Sequence, residues 1–540
     1  MPTETLSPAK KYFRIFLICL AIALLIRETM VLYTFPTPES ARWPGDETWL
    51  MREYMTLTST GIMRYPEAKG SSIEHGNNFL TSTWWTTALL YGVPANIAGP
   101  RTDVVAVGRT ISFLLSLLSL VLLYRIVRLL GGDPIIALVS CIVLIATRDF
   151  YIAAHCTRYD MITMSYLLFM LYLPLRESAQ PIAPYKRRNW WFIYGIAWGF
   201  ALTISPHAVI LSFPLVVATA WVCGRRDRNL VPLALGAVAV VAVLGVLYLI
   251  LNRNEVTIAK PLYPTNGFIL RQFPKVHLDW HEMRFQYFHL LQDAPLLLYW
   301  VLALIPLGAW LMVTHRQHVS TLRRPALLSC LLVAIVWYFV DTSRMYAITY
   351  IVPFILVACA LITIRSFETY RWLNRIQLLI ITLALIGIVF SFQKDIGYAT
   401  QWGQTLTTNN NRAIDSIANT ISKEPMFEGG WDVMSRPAIH RLLTHSGLRV
   451  INASCMDLPM DSMPDPVGIL HRYHIRYMIV ADSLPVLHGM TADGIPVTCR
   501  LDSICERMLT IRGAFTDVGE PYFRPFDNRV EYVSLFRVKD

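Results

Sequence analysis

Charge is what this sequence is short of. Only 16% of its 540 residues are Asp, Glu, Lys or Arg, where an ordinary soluble protein carries about 25%. Hydrophobic residues supply 54% and the mean hydropathy is +0.43, so the deficit points to a bilayer before any segment is read. No internal repeat is visible, which removes the repeated halves from which many transporters are built. The nine cysteines show no zinc-site spacing, and six of them lie in or beside apolar blocks, where a reduced core thiol is the ordinary use. Cys455, Cys499 and Cys505 fall in a more polar tail, and an oxidising compartment would allow a Cys499–Cys505 disulfide there.

What fills the sequence instead is apolar blocks of about 16–23 residues, the length that spans a hydrocarbon core of roughly 30 Å as a helix. The first runs from Phe13 to about Phe35, behind Lys10, Lys11 and Arg14. It is too long for a signal-peptide core and lacks a small-residue cleavage site, so it reads as a retained helix. Further blocks follow at roughly 104–124, 134–149, 161–175, 190–205, 207–223, 230–251, 295–314, 325–341, 345–364 and 375–392. The expected fold is a polytopic α-helical membrane protein of about eleven transmembrane helices over residues 1–395, followed by a small α/β domain over 396–540. In that tail Ala413–Ile421 and Ala438–Ser446 read as helices, while Arg476–Ala481 and Glu531–Val538 read as strands.

The net charge is +11, and a basic balance can signal nucleic-acid binding. Here the distribution excludes that partner. Lys and Arg collect in short loops between apolar blocks, as at Lys186-Arg187-Arg188, Arg225-Arg226-Asp227-Arg228 and Arg323-Arg324. Starting from a cytoplasmic N-terminus, alternate loops carry Arg125 and Arg128, the Lys186 cluster, the Arg225 cluster, Arg316 with Arg323 and Arg324, and Arg365 to Arg375. All of them fall in the cytoplasm, as the positive-inside rule requires. The opposite side then holds the loop 36–103, short loops near 148–160 and 342–344, the loop 252–294, and the whole tail. Within the first outer loop, Thr48–Thr58 and Phe79–Tyr91 read as interfacial helices, with Trp84, Trp85 and Tyr91 at headgroup level.

Several polar groups sit where this topology makes them costly. Gly45-Asp46-Glu47 opens an interfacial helix, and a carboxylate there can take a proton from an incoming hydroxyl, although Asp and Glu also suit a plain helix start. His155-Cys156-Thr157-Arg158-Tyr159-Asp160 crowds ionisable groups at the end of an apolar block, an expensive arrangement unless they pair or work. Asp341 and Arg344-Met345-Tyr346, followed by Tyr350 and Pro353, lie at another outer helix end, where Arg344 can hold a phosphate or simply reach toward headgroups. Glu74-His75-Gly76-Asn77-Asn78 and the set Asp279, His281, Glu282 and Arg284 complete the candidates, each also readable as a solvated loop. No one motif is specific; their shared face is. Asp46, His75, Asp160, Arg284 and Arg344 come from separate segments on one side of the membrane. Together they offer a carboxylate base, phosphate-binding arginines and apolar walls for a lipid tail.

The pattern resembles the C-superfamily (GT-C fold) glycosyltransferases, especially the protein O-mannosyltransferase and lipid A aminoarabinose transferase group. Asp46-Glu47, His75-Gly76, Arg109 opening the next helix, Arg158-Tyr159-Asp160 and Arg344-Met345-Tyr346 running to Pro353 carry the resemblance, which covers roughly residues 13–392. It implies a sugar moved from a polyprenyl-phosphate donor to a glycan, lipid or protein acceptor, with inversion at the anomeric carbon. Asp46 would be the general base and Glu47 its support. His75, Arg158, Asp160, Arg284, Arg344 and Tyr346 would bind the donor and its phosphate. No metal ligand set is identified; a divalent cation remains open as a cofactor. Gly76-Asn77-Asn78 departs from the Pro pair or Gly-Pro of many relatives. The tail lacks the sugar-binding repeats of the eukaryotic mannosyltransferases, which favours a bacterial-type inner-membrane enzyme with a periplasmic tail. The rivals are a polyprenyl-lipid ligase or polymerase, expected to carry Arg and His in a large late loop, and a transporter or flippase. The latter predicts charges near the bilayer midplane, where this chain has few beyond Arg27-Glu28.

Overall fold

The computed structural model describes residues 8–31, 58, 85–98, 104–179, 184–221, 230–251 and 347–370, with parts of 326–333 and 372–387. In the tail it describes 432–435, 449–452, 475–481, 486–490, 496–513 and 531–539, with parts of 416–421. The described chain before residue 390 is almost entirely helical. Its elements are α1 (Pro8–Val31), α2 (Trp85–Ala98), α3 (Val104–Leu129), α4 (Pro134–Ile145), α5 (Arg148–Ala154), α6 (Asp160–Ala179), α7 (Pro184–Gly199), a 3-10 turn (Phe200–Thr203), α8 (Pro206–Thr219), α9 (Leu230–Leu251) and α10 (Ala347–Thr369). Each falls on an expected apolar block, apart from α2 in the first outer loop and α5, which is helical where a short outer loop near 148–160 is expected. The expected spans over 295–314 and 325–341 lie largely outside the described residues.

Local chemistry explains the breaks. α3 ends at Gly131, whose φ of 91° is easy for glycine. The Gly132 amide reaches back to the Val127 carbonyl at 3.0 Å, and Arg128 donates to the Gly132 carbonyl at 2.9 Å. The next residue starts α4: Asp133 accepts from the amides of Ile135 and Ile136 at 2.7 and 3.0 Å, with Pro134 in the first turn. A second break comes after α7. The 3-10 turn closes, Ser205 caps α8 by accepting from the Ala208 amide at 3.1 Å, and Pro206 opens the helix.

α6 lies at the centre, with residues buried all around it, among them Met161, Met164, Leu167, Leu168 and Leu171. α3 packs on it with a stripe of hydroxyls: Ser119 and Ser165 lie 2.7 Å apart, and Ser165 also donates to the Leu115 carbonyl at 2.9 Å. The opposite side of α3 exposes Leu114, Leu118 and Val121, spaced by four and three residues as one helix face. Water does not leave such stripes bare on a soluble surface; lipid does. α3 and the segment Tyr350–Thr369 are also long and apolar enough to cross a membrane.

α7 and α9 approach through glycines. A Cβ on Gly195 would collide with the Leu233 carbonyl, one on Gly236 with the Phe192 carbonyl, and one on Gly199 would lie 2.8 Å from Val240. Small residues let helix backbones approach closely in lipid. The pairing rises in step along both helices, so α7 and α9 run in the same direction. Two reversals separate them, as the loop charges require, with the Lys186 cluster in the first turns of α7 and the Arg225 cluster just before α9 in sequence.

The tail forms a five-stranded sheet in the order β2-β1-β3-β7-β6, from β1 (Asp432–Ser435), β2 (Arg449–Asn452), β3 (Ile475–Ala481), β6 (Cys505–Gly513) and β7 (Glu531–Val538). β4 (Val486–Met490) and β5 (Pro496–Arg500) make a separate antiparallel pair. β1 is parallel to both neighbours, while β7 is antiparallel to β3 and β6. Cys505 is a buried thiol outside any disulfide, 3.9 Å from the Met478 sulfur. The Cys499–Cys505 disulfide is therefore not formed: Cys505 is spent on the sheet core, opposite Val538 of the neighbouring strand.

Candidate active site

Of the residues expected to catalyse or to bind the donor, Arg158 and Asp160 are described. Asp46, Glu47, His75, Arg284, Arg344 and Tyr346 lie outside the described residues. Arg158 and Asp160 sit where α5 hands over to α6, and both are buried, 6% and 2% exposed. Arg158 Nε is 3.3 Å from Asp160 Oδ2. The other carboxylate oxygen, Oδ1, accepts a hydrogen bond from the Tyr350 hydroxyl at the start of α10. Desolvating two ions costs several kcal/mol each unless partners surround them, and here a third group, remote in sequence, completes the set.

The backbone around the pair is held as firmly. Tyr91 of α2 donates to the Arg158 carbonyl at 2.9 Å, and Ser112 of α3 donates to the Cys156 carbonyl at 2.7 Å. The two hydroxyls lie 2.9 Å apart. Burial pushes the Tyr91 phenol well above its usual range, so it stays a neutral donor. Thr157 fits against Gly108, where a Cβ would clash with its side chain. Arg109, one residue on, is 1% exposed and therefore faces the interior with a partner of its own. His155 lies fully buried, its Nδ1 2.6 Å from the Tyr151 carbonyl.

The turn between the 3-10 segment and α8 joins the same end. Thr87 donates to the Ile204 carbonyl at 2.9 Å, Thr86 and Thr203 hydroxyls lie 2.6 Å apart, and Thr163 and Ser205 lie 2.7 Å apart. His207 brings its ring 6.1 Å from the Tyr159 ring and 5.2 Å from the Tyr350 ring. The Arg158 guanidinium stands 5.6 Å from the Tyr159 ring centre. Five segments thus meet at one end of the bundle: α2, the start of α3, the α5–α6 loop, the start of α8 and the start of α10. The loop-charge topology assigns all of these to its outer face.

His207 and Tyr91's role escaped the sequence reading. The apolar blocks 190–205 and 207–223 leave almost no loop between them, so the turn carrying His207 read as membrane. The available signal was Ser205-Pro206, a cap followed by proline. Among the described residues no three His, Cys, Asp or Glu side chains gather to hold a metal ion.

This membrane-helix bundle, with buried ionisable groups gathered at one end, shares its fold with two solved structures. An archaeal oligosaccharyltransferase AglB from Archaeoglobus fulgidus, solved with an inhibitory peptide and a dolichol-phosphate, superposes with a TM-score of 0.54 at 12% identity, over 92% of this chain and 75% of that one. ArnT from Cupriavidus metallidurans, solved with undecaprenyl phosphate, superposes with a TM-score of 0.52 at 13% identity, over 90% and 97%. Within the sequence, residues 95–253 match the family described as dolichyl-phosphate-mannose-protein mannosyltransferase. That stretch contains Arg109, Arg158, Asp160 and His207. No protein of curated function matches the chain.

Proposed function

We propose that this protein is a membrane glycosyltransferase that moves a sugar from a polyprenyl-phosphate donor to an acceptor hydroxyl at the outer membrane face. The observation that carries the reading is the buried Arg158–Asp160–Tyr350 cluster, built by five segments at one end of a GT-C fold. Intramembrane ionisable groups that pair across helices mark functional sites by default. AglB with dolichol-phosphate and ArnT with undecaprenyl phosphate support the donor class.

In the proposed reaction the acceptor oxygen attacks the anomeric carbon from the face opposite the phosphate. The new C–O bond forms as the bond to the phosphate oxygen breaks, so the sugar inverts and polyprenyl phosphate leaves with the electron pair. The acceptor's proton goes to Asp46, with Glu47 supporting it. Arg284, Arg344, Tyr346 and His75 take the phosphate end of the donor, and Arg158 with Asp160 shapes its pocket. The N-terminus lies in the cytoplasm and the tail outside, in a bacterial inner membrane.

The test is transfer from synthetic undecaprenyl-phosphate sugars by the purified, nanodisc-embedded protein. Asp46→Asn is expected to fold normally and to lose transfer by two orders of magnitude or more; near-normal turnover in that variant refutes the base. Cytoplasmic labelling of a cysteine introduced after about residue 395 would overturn the topology and the site with it.

A further inference from the structure

The glycine-mediated pair of α7 and α9 brings two basic clusters to one place. Gly195 fits against the Leu233 carbonyl, and Gly199 against the Ala237 carbonyl and Val240. Going back from the first of these contacts, α7 reaches Arg188 in about two turns. α9 reaches its first residue, Leu230, in about one, and Arg225-Arg226-Asp227-Arg228 stands just ahead of it in sequence. The end of α6 joins them. Arg187 Nε lies 3.7 Å from Glu177 Oε1, and Arg176, the residue before that carboxylate, is exposed, as Arg188 is. Residues 176–177, 186–188 and 225–228 together carry seven cationic side chains against two carboxylates, Glu177 and Asp227. The positive-inside rule accounts for each cluster on its own; it does not require any two to meet. Like charges that do meet draw an anion to the place.

The surroundings say which anion. Directly beyond the charges both helices expose apolar side chains, Phe192 and Ile193 on α7, Leu230 and Val231 on α9. Trp190 is half-buried and stacks on Tyr194 at 5.3 Å and 8°, while the Tyr194 hydroxyl donates to the Met170 carbonyl of α6 at 3.1 Å. Aromatic rings held in this way suit the headgroup level of a bilayer. A soluble anion has no use for the apolar stripe; a diacyl lipid uses both halves. We propose that this corner binds an anionic glycerophospholipid, its phosphate held by Arg188 together with the arginines ahead of α9, its acyl chains along the exposed faces of α7 and α9. Basic pockets between membrane helices take anionic headgroups, and the guanidinium fork suits a phosphate. The site stands at the far end of α6 from Asp160, about 30 Å away along its 20 residues, so it is separate from the Arg158–Asp160 pair.

The experiment titrates the full-length protein in detergent with palmitoyl-oleoyl phosphatidylglycerol, and separately with the zwitterionic phosphatidylcholine of the same chains, and counts retained lipids by native mass spectrometry. The parent is expected to hold phosphatidylglycerol at least about tenfold more tightly. Arg188→Gln and Arg226→Gln are each expected to weaken it about fivefold, with phosphatidylcholine unchanged. Arg188→Lys keeps the charge and should stay within about threefold of the parent. Arg125→Gln removes an exposed arginine of α3, outside the α7–α9 crossing, and is expected to change nothing. Equal affinity of the parent for the two lipids overturns the inference. So does an equal loss in Arg125→Gln and Arg188→Gln, which would mean a diffuse basic surface. Parental affinity in Arg226→Gln overturns the shared site, and displacement of phosphatidylglycerol by inorganic phosphate alone would mean a free-anion site instead.

Discussion

α6 and α9 are similar by composition and opposite by position. Both are long and predominantly apolar, yet α6 is buried over most of its length, with Phe169 exposed, whereas α9 exposes Leu230, Val231, Leu235, Val238, Val241, Val243 and Val246. Their polar content separates them. α6 begins with Asp160 and carries Thr163 and Ser165, all buried, while α9 from Leu230 to Leu251 has no charged residue and no hydroxyl except one tyrosine. In water a greasy face turns inward; in lipid greasiness says little about direction, and the few polar groups mark the interior. The buried charged end of the molecule is therefore at the helix that looks least like a pure membrane span.

Substitutions can break or sharpen this contrast. The largest effect is expected at Arg158→Ala, which strands a buried carboxylate; loss of about 3–5 kcal/mol should appear as a lowered thermal midpoint in detergent. Leu167→Ala at the fully buried core of α6 should cost about 2–5 kcal/mol, whereas Leu235→Ala on the exposed side of α9 should stay within about 0.5 kcal/mol in the same assay. Equal losses at the two leucines would mean that another element covers α9. Gly195→Leu attacks α9 where it does touch protein, and overpacking of about 1–3 kcal/mol should loosen the α7–α9 pair, read by disulfide trapping between introduced cysteines. The smallest shift belongs to Ser119→Ala, where an interhelical hydroxyl bond in a membrane protein averages about 0.6 kcal/mol; a loss above about 2 kcal/mol would show that the α3–α6 hydroxyls act as one network.

Hydropathy in the sequence located α3, α6, α9 and α10 because each is one uninterrupted apolar run. It drew α3 short, to about residue 124, since Arg125 and Arg128 look like a loop; their aliphatic stems let the helix continue to Leu129. It also ended the interfacial helix at Tyr91, where α2 runs on through Pro94 to Ala98. Glu531–Val538 and all but one residue of Ile475–Ala481 were legible as alternating strands. Strands as short as Asp432–Ser435 and Arg449–Asn452 carry too few residues for a period of two to stand out. For the site, the charges of Arg158 and Asp160 were visible because charge is rare in this chain. Tyr350 and His207 were not visible as their partners, since no local pattern encodes a contact between residues 190 positions apart.

The glycine-mediated pairing of α7 with α9 also sets an order of assembly. α8 is made between the two and packs elsewhere, so the glycine face of α7 is complete before its mate exists. At about 5–20 residues per second, the interval between Gly199 and Gly236 leaving the ribosome is roughly 2–7 s. For that time α7 carries an open docking groove in the membrane, and whatever guards nascent helices there, lipid or insertion machinery, must occupy the groove and then yield it.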